Sequence, residues 1–425
     1  MTILLLTFAI LLLMGIPIAY SLGMASATYF VMVQPELLPV LPQRLFAGMQ
    51  SYALIALPLF IFMGQLMNSS GITQRLVDLC LVFVGRFSGG LGMVNVSTSM
   101  LFGGISGSAT SDTASIGSVL IPEMKKRGYP LSYASGITVA SSTMGMILPP
   151  SIPMVLYAVS AQVSVGKLFL GGIIPGLLVG ILQLGIAVWI SKRNHYPKET
   201  TEGSWKRCLL VVSRSVHILI MPVFVVGVVV FGIATATESA ALGGLYALGI
   251  GIFFMRFLTL KTFYASMLSA ARTSAYIMII IAFSQVFVWI LALERAPESM
   301  TQFMLSLQLS PTLLMLLIVA IVLVIGTVID VSPAILLLTP IFLPVVTEAG
   351  ISPIFFGVVF VASLAVGACT PPVGNCLNVC ALISGQRIGT IFLGALPFLS
   401  ANATTLFLMV LIPELVLWLP RWFLP

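Results

Sequence analysis

The stretch "GACTPPVGN", residues 367–375, lies inside a long apolar run. Pro371 and Pro372 remove two backbone donors, so a helix entering this segment must break. Hydrocarbon cannot satisfy the backbone groups that a break frees, so protein or a wet cavity has to cover them. A second stretch, "GMILPPSIP" at 145–153, carries the same Gly-x-x-x-Pro-Pro frame 222 positions earlier. A chain that breaks itself twice in the same way, at a depth where breaks are costly, is using the breaks.

The surrounding composition supplies that depth. The 425 residues are 59% hydrophobic and 7% charged, with a mean hydropathy of +1.15. A soluble domain carries about 25% charge. Apolar runs near helix-spanning length, separated by clustered charges, define an all-α polytopic membrane protein in contact with the lipid bilayer. Strand-period alternation is missing, which argues against a β-barrel. The net charge of +7 belongs to loops on one face rather than to a nucleic-acid surface. The start, "MTILLLTFAILLLMGIPIAY", has no basic region or cleavage site and reads as a first span, not a removed signal. Cys80, Cys208, Cys369, Cys376 and Cys380, with only His195 and His217, form no zinc-type spacing and read as small buried hydrophobes. The many Phe and Met residues read as packing and lipid-facing surface.

Spans are expected near 3–30, 50–68, 131–160, 168–190, 217–234, 238–257, 273–293, 353–383 and 389–416. Two further apolar regions, 88–122 and 310–346, are interrupted in the middle. The first is bracketed by Arg86 and Lys125-Lys126-Arg127, and a re-entrant hairpin keeps all of these on one side. With both regions as hairpins and the N-terminus cytoplasmic, 15 of the 19 Lys and Arg fall on the cytoplasmic face and 4 on the periplasmic face. The C-terminus is then periplasmic. Such a bias is the positive-inside signature of an inner-membrane protein. Five segments follow. Scaffold helices occupy 1–85, and a first transport half with hairpin and broken helix occupies 86–166. Further scaffold, including the polar linker 191–216, fills 167–307. A second transport half fills 308–388, and a C-terminal scaffold helix fills 389–425.

The halves repeat. Residues 122–175 lie over 344–397 without a gap, with ten identical pairs among 54. Seven of the ten are Gly or Pro, so the shared positions are those that fix backbone geometry. At the same offset Gly104 lies over Gly326. The loop after the first hairpin is "EMKKRGYP" and that after the second is "VVTEAGIS", so the copies are expected to point in opposite directions. An inverted-topology repeat with discontinuous helices is characteristic of secondary transporters with a midplane site.

The breaks and tips then have a use. The tip sequences are "GGISGSATSDTAS" (103–115) and "GTVIDVSPAIL" (326–336). Hydroxyls at a tip and carbonyls freed by a break offer a cage for a hard cation, and half-helices starting after Pro150 and Pro372 aim positive ends at a carboxylate. Asp112 and Asp330 are the acidic residues expected at membrane depth, where an ionisable group is a functional candidate. Asp330 could neutralise sodium. Asp112 could do the same or cap the helix that follows. The cluster at Ser106, Ser108 and Thr110 could ligate or simply pack helices closely. Glu238 in "GIATATESAALGG" reads as a cap. No Gly-rich phosphate loop of the G-x-x-x-x-G-K-[ST] kind occurs, so ATP is not expected.

The runs "GGISGSATSDTASIGSVLIPEMKKRGY", "GMILPPSIPMVLYA", "ATATESAALG" and "GACTPPVGNCLNV" resemble the large membrane subunit of tripartite ATP-independent periplasmic (TRAP, DctM-like) transporters, over nearly the whole chain. The resemblance implies an elevator-type importer of organic acids such as sialic acid or a dicarboxylate, driven by two or more sodium ions. It implies a small DctQ-like membrane subunit, expected here as a separate chain, and a periplasmic DctP-like binding protein. It places one sodium site at Ser106, Ser108, Gly145 and Leu148 and another at Asp330, Ser332, Gly367 and Thr370. Substrate contacts are expected at Ser108, Thr110, Pro149, Pro150, Ser151, Pro371, Pro372 and Asn375. The turn "TATE" departs from the family's usual proline before Thr-Glu, which touches the scaffold more than the site. The competing readings are a self-sufficient sodium/dicarboxylate symporter, a membrane-embedded enzyme and a purely structural subunit. The enzyme lacks a nucleophile/base pair at depth, and the structural subunit leaves the acidic tips without a purpose.

Overall fold

A computed structural model describes residues 1–197, 205–255 and 258–424, with the backbone alone for 205–208. The centre of the polar linker, Arg256 and the Cys208 side chain lie outside the described residues. Among the described residues all regular structure is helical and no strand occurs.

Among the described residues seven helices are long and apolar enough to cross a bilayer, and the pair Leu131–Ile147 and Ile152–Ala161, bent by 41°, brings the number to as many as eight. Most expected spans are present. They are Tyr52–Ser69, Val165–Arg193, Leu209–Val230, Ala236–Met255 and Ile388–Leu411. The span expected at 273–293 is the second half of Leu260–Leu293, a helix of 34 residues. Its 1.5 Å rise per residue gives a length of about 50 Å, more than a perpendicular crossing needs. The short helices Val40–Met49, Ile72–Val84, Ala296–Ser306 and Glu414–Phe423 were not foreseen.

The first span is corrected. Residues 3–30 do not form one helix but the pair Thr2–Leu13 and Ile18–Val33, packed side by side. Gly15 turns the chain at φ +79, and Pro17 starts the return limb. Glu294 records the antiparallel arrangement, because it receives the Met1 amino group at 3.0 Å and the Tyr29 hydroxyl at 2.5 Å. Met1 therefore lies at the same end of the bundle as Tyr29 and Gln34, which a single span would have separated by its full length.

The two interrupted regions are helical hairpins, Gly90–Ser106 with Ala109–Lys126, and Pro311–Gly326 with Val331–Glu348. They enter from opposite ends. At the base of the first, Tyr129 Oη donates to Pro197 O at 3.1 Å and Tyr133 Oη lies 3.4 Å from Ser191 Oγ. At the base of the second, Pro353 O accepts from Tyr157, which sits beyond the break in the first broken helix. Pro413, Leu417 and Arg421 crowd the same end.

The helices sort into two groups. Thr2–Leu13 to Ala56–Ser69 and the helices from 205 to 293 pack mostly on one another, while Ile72–Val84 and Ala296–Ser306 bridge from them onto the first and second hairpins. The hairpins and broken helices form the other group. Val165–Arg193 and Ile388–Leu411, expected in the scaffold, pack on this second group instead. A glycine crossing shows how closely: a Cβ on Gly394 would stand 2.1 Å from Ser132 O, and one on Gly136 would stand 2.2 Å from the Gly394 carbonyl carbon. Small residues let apolar helices approach to backbone contact. Gln183 and Asn402, one from each of these two helices, meet at 2.7 Å. Gln183 Nε2 also reaches Ala140 O at 3.0 Å and Asn402 reaches Thr143 Oγ1 at 2.9 Å, a linked set of polar groups buried among apolar side chains in which Gln183 Oε1 alone has no partner.

Candidate functional site

Each hairpin tip leans on a helix break. In the first, Ile152 N donates to Gly107 O at 3.2 Å, and a Cβ on Gly103 would stand 3.0 Å from Gly145 Cα. In the second, Val373 N donates to Thr327 O at 3.0 Å, and a Cβ on Gly367 would stand 2.7 Å from Gly326 C. The partner of Gly326 in this arrangement is Gly103 and not Gly104, which lies under Pro149 O, so the hairpins are offset by one residue from the expected register. The Pro149–Pro150 and Pro371–Pro372 bonds are both cis.

Helices Ala109–Lys126, Ile152–Ala161, Val331–Glu348 and Asn375–Ser384 begin at these two points. The N–H groups of their first turns are only partly paired, as by Ile152 N to Gly107 O and Met154 N to Ser151 Oγ, and these helix ends carry partial positive charge. Oxygens gather there too. Ser106 Oγ lies 3.4 Å from Ser108 O, and Ser108 Oγ lies 3.1 Å from Thr110 Oγ1. Asn375 Nδ2 donates to Asp330 Oδ1 at 2.8 Å, and Thr370 Oγ1 donates to Val366 O at 2.9 Å. A hydroxyl that donates to a carbonyl keeps its lone pairs for a cation. No cluster of three His, Cys, Asp or Glu occurs among the described residues. The oxygens gathered at the tips are mainly neutral hydroxyl and carbonyl oxygens, the ligand type that hard cations take.

Both tips line one cavity of about 410 Å³. Ser106, Ser108, Thr110, Asp330 and Ser332 face it, and Asp330 is the one charged residue in its wall. Gly145, Leu148, Pro149, Pro150, Ser151, Gly367, Thr370, Pro371, Pro372 and Asn375 are not part of that wall. They stand behind the tips. Ser151 caps the helix after the break, accepting from Met154 N at 3.3 Å, and also hydrogen-bonds Met146 O. Asn375 faces a second cavity on the far side of the Asp330 tip.

The opposite wall was missed by sequence reasoning. Gln65 and Asn68 from one helix, and Thr273 and Tyr276 from another, face the tips across the cavity. Their signal was three-residue spacing of polar side chains inside apolar helices. Asn68 Oδ1 accepts from Ser115 Oγ at 2.8 Å, which ties the two helix groups together beside the cavity.

Asp112 stands away from the cavity. It lies one turn inside its helix, is fully buried and does not line the cavity. It does not cap the helix either, because Ser108 holds the N-cap position. Its Oδ1 accepts from Ser99 Oγ at 3.0 Å, and Ser99 Oγ pairs with Ser141 Oγ at 2.9 Å. Asn95 extends the chain to Ser141 and Thr138 at 3.2 and 2.7 Å. This polar seam joins the first hairpin to the first broken helix inside the group.

A family model described as "Tripartite ATP-independent periplasmic transporter, DctM component" matches residues 5–415. The chain is 36% identical over 408 residues to the isethionate TRAP transporter permease protein DctMQ of Oleidesulfovibrio alaskensis, covering 96% of this chain and 64% of that protein. It thus spans less than two thirds of that relative. It is 33% identical over 411 residues to the 2,3-diketo-L-gulonate TRAP transporter large permease protein YiaN of Escherichia coli, covering 96% of each. The solved YdaH transporter of Alcanivorax borkumensis matches with a TM-score of 0.66 at 16% identity over 89% of both chains, a likeness of fold alone.

Proposed function

The chain belongs to the DctM component family of tripartite ATP-independent periplasmic transporters, and from that premise we propose that it is the large permease of a sodium-driven importer of a small organic acid. It is a transporter component and not an enzyme. The observation that carries the proposal is the single cavity beneath two hairpin tips that enter from opposite ends, with Asp330 as its only charged lining residue. An organic anion placed beside Asp330 at membrane depth is costly without compensation. The wall supplies no Lys or Arg. Two sodium ions, one behind each tip, leave the loaded cavity neutral when the substrate carries one negative charge. The four helix starts add partial positive charge toward the same point.

In this reading the hairpins, the broken helices and the two helices Val165–Arg193 and Ile388–Leu411 move as one body past the helices bearing Gln65 and Tyr276. The two hairpins and breaks are halves of an inverted-topology repeat, and the motion is an elevator. The tripartite family implies a DctQ-like membrane subunit and a DctP-like periplasmic binding protein. The protein sits in the inner membrane with the first hairpin's basic base cytoplasmic and the C-terminus periplasmic. The N-terminal pair has no charged residue in 1–33, so moving Met1 to the periplasmic face with Gln34 leaves the charge bias unchanged.

The test is uptake into proteoliposomes bearing this chain and its small subunit, under an imposed sodium gradient, with and without the binding protein. Uptake that needs both supports the proposal. Sodium-driven uptake without a binding protein supports the self-sufficient symporter, and uptake indifferent to sodium defeats both.

A further inference from the structure

The second cavity, of about 450 Å³, is separated from the first by the Asp330 tip itself. Its inner wall is Gly326 to Asp330 with Ala368 and Val373 to Asn375. Its outer wall is the turn of the N-terminal helical pair, Gly15 to Ile18, with Leu12. Tyr276 and Asp330 line both cavities, so they form the partition between them. Asp330 is the sole charged residue of the second wall as well, and Asn375, which faces this cavity, fixes its carboxylate from this side.

We propose that this second cavity is the aqueous route by which a monovalent cation reaches the Asp330 site, independently of the organic substrate, and that the turn of the N-terminal pair forms its outer lip. Several features point the same way. The space holds several waters at about 30 Å³ each, so an ion can enter without losing its whole shell at once. The polar side chains, Thr327, Asp330, Asn375 and Tyr276, come from the tip, the break and the partition, while the outer wall is an apolar turn of Leu12, Ile16, Pro17 and Ile18. A wall of that kind guides an ion without holding it. A negative carboxylate with no basic neighbour in the wall draws cations and repels an anionic substrate. The short limbs of Thr2–Leu13 and Ile18–Val33, 12 and 16 residues, place their turn at the tip instead of carrying the chain past it. The two routes would let sodium bind before the substrate arrives and stay when the substrate cavity is blocked.

This inference rests on the sodium-driven reading above, and the experiment separates the two. Ile16→Cys and, as a second position, Leu12→Cys are placed in the chain, which is reconstituted with its small subunit. The described native cysteines are buried. A positively charged, membrane-impermeant thiol reagent is applied in sodium chloride or choline chloride. Sodium at about ten times its dissociation constant should slow modification roughly tenfold by occupying the neighbouring site. Organic substrate in choline should not slow it, and the modified protein should lose sodium-driven uptake. Equal modification rates in the two salts at both positions, or normal uptake after complete modification, overturn the route while leaving sodium coupling intact. Uptake by the unmodified variants that ignores sodium overturns the route together with the reading beneath it.

Discussion

Gly367→Ala tests whether the contact between tip and break holds the second cation site in shape. The added Cβ would stand 2.7 Å from Gly326 C and 2.8 Å from its Cα. Carbon atoms pack at about 3.5–4.0 Å, so the tip must retreat by roughly 0.8 Å. Both clashing atoms are backbone, so no side-chain rotation relieves them. A ligating constellation tolerates only about 0.5 Å of displacement. The expected result is a sodium midpoint for uptake raised about tenfold, or ~1.4 kcal/mol of lost binding. Gly145→Ala should be milder, because its Cβ meets Ser108 O at 3.2 Å and needs only a small adjustment. Gly185→Ala is the control. Nothing lies within 4 Å of its Cβ, and it sits inside Val165–Arg193, so it should be neutral or stabilise by ~0.5–1 kcal/mol. The assay is uptake against sodium concentration in proteoliposomes, with thermal unfolding in detergent to monitor folding. A Gly367→Ala protein with the wild-type sodium midpoint, or an order of damage in which Gly145→Ala exceeds Gly367→Ala, would refute the reasoning.

Other expected outcomes follow from the same geometry. Asp330→Asn keeps a polar group for Asn375 but removes the charge, so sodium activation should weaken while folding survives; unchanged activation removes Asp330 from the site. Asn402→Ala leaves Gln183 and Thr143 without their shared partner and should lower stability by about 0.5–2 kcal/mol, read as a fall in unfolding temperature. Glu294 is held below the usual carboxylate range, first by the Tyr29 hydroxyl and then by the Met1 amine. A depressed value means that its stabilisation is present above the unfolded carboxylate pKa of about 4.3 and is lost as pH falls through the lower folded value. Glu294→Gln should therefore destabilise the N-terminal pair at pH 7, with the difference from wild type disappearing in strong acid; a pH-independent difference would contradict this.

Much of the architecture of breaks and hairpins was legible because its signals are local. Pro149-Pro150 and Pro371-Pro372 announce breaks wherever they sit, and flanking basic residues turned the interrupted run at 88–122 into a hairpin. What failed has physical reasons. Residues 1–33 carry no charge, so the rule that orients loops had nothing to act on, and a 12-residue helix followed by a 16-residue one has the apolar length of one span. Asp112 follows the tip by only a few residues, but a helix turns 100° per residue and carried it onto the buried face. Gln65, Asn68, Thr273 and Tyr276 gained meaning only when folding placed them opposite the tips, across sequence separations that no local pattern records. The helices at 165–193 and 388–411 looked like scaffold because hydropathy does not report what a helix packs against; the Gln183 hydrogen bond to Ala140 O shows it for the first and the crossing at Gly136 and Gly394 for the second.

The central claim is that one body carrying both tips moves past the wall bearing Gln65 and Asn68. The Ser115 to Asn68 hydrogen bond spans that boundary at 2.8 Å. The most direct measurement places cysteines at both positions, joins them with a short reducible cross-linker, and follows sodium-driven uptake before and after reduction. The account predicts that joining stops uptake and that reduction restores it, with each single-cysteine variant unaffected by the reagent. Uptake at the unlinked rate by a fully cross-linked protein would contradict it, because the body would then not need to move.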